Sequence, residues 1–313
     1  MNRLSIESKG IWRVIAAIPL FVLLLYPVVS VGDGSVSGRL KKLKEQYQNI
    51  NTLHVKSQIV ISAYSMGAKT PLNGKGAIRQ IHNEYWADKN GHYRINSSFY
   101  DSNGVPIGIW EIAYDGNLFQ LFDKRSLLFS CGSKDRQQNP IAPENPLFAP
   151  LQFLKQENDN CQACPLKLTD VIDTEKWDEK IGIAKVVVMS DQKAGQMVIE
   201  TPKNLMEGKE SVSRVYLGDI QDYLPLKTNV VDANGNIITS TEITAYNIIV
   251  LNGKQTYWPK SVRFSGKDAQ AELNTDAEVE VCQINECLPP DIFTVDSSSA
   301  RSIWDDDDKK FVH

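Results

Sequence analysis

What this sequence has little of narrows its chemistry first. Its four histidines, His54, His82, His92 and His313, are spread over 313 residues, and none has a clustered partner with which to hold zinc. No nucleophile elbow, phosphate loop, dinucleotide fingerprint or HExxH helix appears. No metal, no cofactor and no enzymatic activity are therefore expected. Positive charge is short as well: the formal net charge is −4, which offers no attraction to nucleic acid or to anionic headgroups.

The apolar run that stands out, Val14 to Val31 (VIAAIPLFVLLLYPVVSV), follows Arg3, Lys9 and Arg13. Basic residues, an apolar stretch and small residues near Ser30 and Gly32 read as an export signal over 1–32. An uncleaved membrane anchor is the competing reading, since the run approaches spanning length. No cysteine follows the run, so lipid attachment there is not expected. Removing Met1–Gly32 takes away three positive charges and one negative, so the net charge of −4 becomes −6. The expected location is the periplasm or cell envelope.

Export changes how the cysteines read. Cys131, Cys161, Cys164, Cys282 and Cys287 sit in an oxidising compartment, where disulfides are the default. Cys282 and Cys287 are close enough to bridge across the bend before Leu288, and Cys131 can reach Cys161 or Cys164. Cys161-Gln-Ala-Cys164 also has redox-dithiol spacing, which keeps a thiol oxidoreductase open as an alternative. Its polar surroundings lack the helix start that lowers a thiol pKa, so structural bridges are preferred.

What the chain does have is turn chemistry. Asn73-Gly74, Asn90-Gly91, Asn103-Gly104, Asp115-Gly116, Asn234-Gly235 and Asn252-Gly253 are steps that tolerate positive φ, as type I′ hairpin turns require. Between them runs strand periodicity. Leu53, Val55, Ser57, Ile59, Ile61 and Ala63 alternate with a polar set, as do Tyr93, Ile95, Ser97 and Phe99. Each gives one buried and one wet face. Ile107–Tyr114, Leu118–Phe122 and Leu127–Cys131 are apolar on both faces, so a cover on each side is expected, a helix on one and core or ligand on the other. On the last strand Ala271, Leu273, Thr275, Ala277, Val279 and Val281 are expected to face inward. Its carboxylates then form a wet face that discourages edge pairing. Glu111, an acidic residue on an apolar strand, is expected to face water or to pair with Arg79 or Arg94.

Helices are fewer. Val36, Leu40, Leu43, Tyr47 and Ile50 fall on one helical face. Residues 132–182 break the strand rhythm: Asn145-Pro146 is a helix start, and Leu147, Phe148, Leu151, Phe153 and Leu154 follow it. Periodicity fades past Asp296, so 297–313 is expected to be a flexible acidic tail. The fold class is mainly β (α+β). A large curved antiparallel sheet forms an incomplete β-barrel, with an N-terminal helix and an inserted helical lid on its concave side. The domain spans 33–296.

Three phrases carry a resemblance. Trp110–Asp123 (WEIAYDGNLFQLFD) looks like the "YDG" hairpin of the bacterial lipoprotein-carrier superfamily, which includes LolA, LolB and RseB-like proteins. Tyr257–Val262 (YWPKSV) resembles one of its strands. Ile284–Phe293 (INECLPPDIF) resembles its closing "IN..LPD..F" phrase. The resemblance implies a non-enzymatic carrier of lipid or lipoprotein acyl chains. Val55, Ile59, Ile61, Ile95 and Phe99 would line its concavity and Phe148, Leu151 and Phe153 its lid. The arginine that governs lid opening in the carriers has Arg79 and Arg94 as candidates here. The chain is longer than those carriers. A stress-sensor or interaction module of the RseB type, binding an envelope protein, is the alternative, and a monomer is expected.

Overall fold

The computed structural model describes residues 36–65, 79–133, 185–187, 196–200, 204–206, 209–218, 221, 223–267 and 271–312. The export segment, Asn73-Gly74, the insert beyond Ser133, its residues Phe148, Leu151 and Phe153, and both Cys161 and Cys164 lie outside them.

One helix is present among the described residues, α1 (Val36–Gln48). Strands follow in two runs. The first comprises β1 (Thr52–Ser65), β2 (Arg79–Asp88), β3 (Tyr93–Asp101), β4 (Pro106–Tyr114), β5 (Phe119–Asp123) and β6 (Leu128–Gly132). The second comprises β7 (Lys185–Val187), β8 (Met197–Glu200), β9 (Asn204–Met206), β10 (Lys209–Leu217), β11 (Pro225–Asp232), β12 (Ile237–Leu251), β13 (Lys254–Lys267) and β14 (Ala271–Ile284). At the end come β15 (Ser302–Asp305) and β16 (Lys310–Val312).

All sixteen strands belong to one sheet, in the order β16-β15-β6-β5-β4-β3-β2-β1-β14-β13-β12-β11-β10-β8-β7, with β9 beside β10. The two runs meet at β1 and β14, which pair antiparallel from Leu53↔Ile284 to Ser65↔Ala271. The path is linear and does not close on itself, so the sheet is an open one. The inserted helical lid expected on its concave side falls outside the described residues.

The hairpins use a turn different from the one expected. Asp88-Lys-Asn-Gly91, Asp101-Ser-Asn-Gly104 and Asp232-Ala-Asn-Gly235 repeat one pattern. In each, the leading Asp Oδ1 accepts from the backbone N–H of the Asn two residues on, at 2.8, 2.8 and 2.9 Å. It also accepts from the N–H four residues on, at 3.1, 2.9 and 2.8 Å. Only the glycine takes positive φ, at +88°, +77° and +83°, which is a three-residue loop ending in a left-handed residue rather than type I′. Among the described loops, Asn252-Gly253 has positive φ at both positions, +49° and +76°. The aspartate ahead of each step decides the difference, because its side chain ties down the tight first turn.

Two faces of the sheet are packed differently. The inner face joins α1 in the main core, with Leu43, Tyr47 and Ile50 fully buried against Leu53, Trp258 and Val279. On the outer face, Ala113, Phe122 and Phe129 form a second small core with Val295. Among the described residues the cover of β4–β6 on this face is the segment after Leu288 rather than a helix. The expected mobile tail is corrected with it. β15 pairs parallel to β6 from Ser302↔Leu128 to Asp305↔Cys131, and β16 folds back on β15. Sequence periodicity fades there because each strand has only three or four residues.

A bulge alters one strand. The register between β1 and β14 shifts at Lys56/Ser57, so Ser57 pairs with Val279 and Lys56 with Val281. One extra residue on β14 reverses the alternation beyond it. Cys282 packs against the core and Ile284 is buried within it, while Val281, expected inside, is not part of it.

Candidate functional site

The inner face across β14, β1, β2, β3 and β4 is built in rungs. One rung runs Cys282–Val55–Tyr85–Ile95–Ile112, and another runs Ala277–Ile59–Ile81–Phe99–Gly108. Five strands at about 4.8 Å spacing make this face about 19 Å wide. Ile59 and Ile81 are each 1% exposed and Phe99 4%. Four of the apolar residues expected to line the concavity, Val55, Ile59, Ile95 and Phe99, are thus buried in one core, and Ile61 packs at its margin.

Between those two rungs lies a third of different character: Val279–Ser57–Asn83–Ser97–Trp110. Ser57, Asn83 and Ser97 are buried polar residues on a face otherwise made of aliphatic and aromatic side chains. Ser57 and Ser97 were visible in the alternation as inward positions. Asn83 was missed together with Ile81, because Trp86 on the outward register and Asn83 on the inward one hide the period of β2.

α1 lies toward the other run of strands. Gln46 Nε2 donates to the Tyr257 carbonyl at 2.9 Å, and the Tyr47 ring meets Trp258 edge-on at 5.9 Å. Burial pushes the Tyr47 phenol well above its usual pKa. A cavity of about 470 Å³ borders α1 there, lined by Gln46, Tyr223, Leu251 and Thr256 among others. Within its lining Tyr223 Oη donates to Gln46 Oε1.

The two candidate arginines separate. Arg79 stands on the inward register of β2 at the margin of the apolar face, exposed, with its guanidinium 5.9 Å from the Phe99 ring centre. Arg94 points to the outer face. Its guanidinium bonds Glu111 Oε2 at 3.1 Å, the Thr294 carbonyl at 2.9 Å and the Ile292 carbonyl at 3.3 Å. Lys124 Nζ also reaches Glu111. The expected pairing of Glu111 with an arginine is met, and for the same reason Arg94 cannot line the inner face. It clamps the C-terminal segment, with Val295 N–H donating to Gln120 Oε1 at 3.0 Å beside it.

The expected Cys282–Cys287 bridge is not formed, and the expected bridge from Cys131 has both its candidate partners, Cys161 and Cys164, outside the described residues. Cys131, Cys282 and Cys287 carry free thiols. The β14 bulge turns Cys282 into the core, where burial pushes its thiol up to about 12, whereas Cys287 is exposed beyond the bend at Asn285. Among the described residues no group of His, Cys, Asp and Glu could hold a metal ion. No described helix is long and apolar enough to cross a membrane.

No protein-family model and no curated protein matches the chain. Solved structures do. One is a domain described as an outer membrane lipoprotein-sorting protein from Vibrio parahaemolyticus, 10% identical, with a TM-score of 0.46 over 83% of this chain and 96% of that one. A DUF1329 family protein from Desulfovibrio piger is 10% identical, with a TM-score of 0.44 over 82% and 96%. A LolA superfamily protein from Nitrosomonas europaea is 9% identical, with a TM-score of 0.39 over 82% and 97%. All three are at most 10% identical to this chain with TM-scores below 0.5, and they name no side chain of the site.

Proposed function

We propose that this protein is a non-enzymatic binder of acyl chains, holding lipid or lipoprotein chains against the inner face of β14–β4. The observation that carries the reading is the pair of apolar rungs on the inner face, Val55 and Ile95 in one and Ile59, Ile81 and Phe99 in the other, on either side of the polar rung. A surface of this width matches an extended chain rather than a compact polar metabolite. Each methylene buried there contributes about 0.8 kcal/mol, and the site needs no catalytic group to hold it. Phe148, Leu151 and Phe153 are assigned to the cover over the chain, and Arg79 to its entrance, beside Phe99. The protein works in the periplasm or cell envelope as a monomer.

The test is mass spectrometry of organic extracts from protein purified without detergent. Stoichiometric acyl lipid is the expected result. Extracts empty of lipid, together with no uptake of added fatty acid, would remove the proposal.

A further inference from the structure

The polar rung on the inner face gives the proposed ligand a further feature. Ser57 is 3% exposed and Asn83 6%, and the two sit directly opposite each other in the β1–β2 register. Ser57 Oγ and Asn83 Oδ1 are both buried without a hydrogen-bond partner. Ser97, on the third strand, extends the same row and is 2% exposed. Above and below stand the apolar rungs of Val55, Tyr85 and Ile95 and of Ile59, Ile81 and Phe99. Buried polar atoms are nearly always paired, and an unpaired one is costly enough to require an explanation. Packing does not supply it, since alanine and leucine would fill these places without the penalty.

We propose that the Ser57–Asn83 pair is a subsite for a hydroxyl group carried on the acyl chain. The inference rests on the acyl-chain reading and specifies its ligand. Directly opposed side chains on neighbouring strands have Cβ atoms roughly 5 Å apart, a gap that one oxygen can bridge. The hydroxyl donates its proton to Asn83 Oδ1 and accepts one from the Ser57 hydroxyl, so a single group satisfies both atoms. An unsubstituted chain fills the apolar rungs and leaves the pair unsatisfied. The subsite thus selects where along its length a chain is substituted, because the rungs on either side accept only methylenes.

The experiment is a displacement titration of the full chain with palmitic acid and with hydroxypalmitic acids differing in hydroxyl position. Wild type is expected to bind at least one positional isomer about tenfold more tightly than palmitic acid. Ser57→Ala and Asn83→Leu should each reduce that preference to within about twofold while still binding palmitic acid. Their thermal midpoints, measured without ligand, should equal or exceed that of wild type, since each removes an unpaired buried group. If palmitic acid fails to bind wild type, the acyl-chain reading falls and takes this inference with it. If palmitic acid binds but no isomer is preferred, or the preference survives both substitutions, the hydroxyl subsite alone is overturned. Loss of folding in Asn83→Leu leaves Ser57→Ala to decide by the same preference.

Discussion

The Asn285 side chain accepts the backbone N–H of Asn51 at 2.6 Å, joining residues 234 positions apart. Its Nδ2 donates to the Asn49 carbonyl at 2.7 Å, and its own backbone N–H donates to the Thr52 carbonyl at 2.9 Å. The residue does this from a left-handed conformation, with φ at +61°, which asparagine tolerates better than other side chains. The end of β14 is thereby stitched to the junction between α1 and β1. Asn285→Ala should lose about 2–3 kcal/mol of stability, from its side-chain hydrogen bonds and a strained backbone, whereas Asn285→Gly should lose about 1–2 kcal/mol. Urea denaturation of both variants checks the order as well as the size.

Arg94 holds the C-terminal segment across the outer face. Arg94→Met leaves the Ile292 and Thr294 carbonyls without their donor and Glu111 with Lys124 alone. The expected cost is about 2–4 kcal/mol, with new proteolytic cuts between 288 and 300 under native conditions. Arg263 is the control: its pair with Asp276, 2.8 Å long and more than 60% exposed on both sides, should be worth no more than about 1 kcal/mol. Comparable losses in the two variants would contradict the clamp.

Thiol reactivity separates the cysteines of β14 and the bend. At pH 8 Cys287 is expected to react with a maleimide at once. Cys282, half-buried with its thiol raised by desolvation to about 12, should react far more slowly. Peptide mapping after a short labelling pulse reads both, and a Cys282–Cys287 bridge in non-reduced protein would contradict the β14 register.

Acid should weaken the turns. Hydrogen bonds from Asn236 and Asn234 hold the Asp232 carboxyl below the usual 3.8. Backbone bonds from Ser298, and from Asp308 and Asp307, do the same for Asp296 and Asp305. A carboxyl with a lowered folded pKa adds stability above its unfolded pKa and loses it as pH falls through the folded value. These turns therefore keep their contribution at neutral pH and lose it below about pH 4. Asp232→Asn should flatten part of that acid limb in a stability-against-pH series.

Much of the sheet was legible because its long strands alternate cleanly. β1 and β3 display Leu53 to Ile61 and Tyr93 to Phe99 on one face, and those positions are the inner ones. β2 was illegible for a physical reason: Asn83 lies inside and Trp86 outside, against the usual sense of burial. The same inversion hid Asn83, the member that joins the inward Ser57 and Ser97 into one polar rung. The Cys282 position needed the bulge, which depends on pairing with a strand more than two hundred residues earlier. The pairing of β15 with β6 is equally non-local and leaves little trace in a four-residue strand.

The central claim is tested most directly by measuring the affinity of the wild-type protein for saturated fatty acids of increasing length. Burial on the inner face requires the dissociation constant to fall about fourfold per added methylene, from about 0.8 kcal/mol each, until the face is filled. Phe99→Asp and Ile81→Asp should abolish that dependence. An affinity independent of chain length, or no binding up to the solubility limit, would contradict the account.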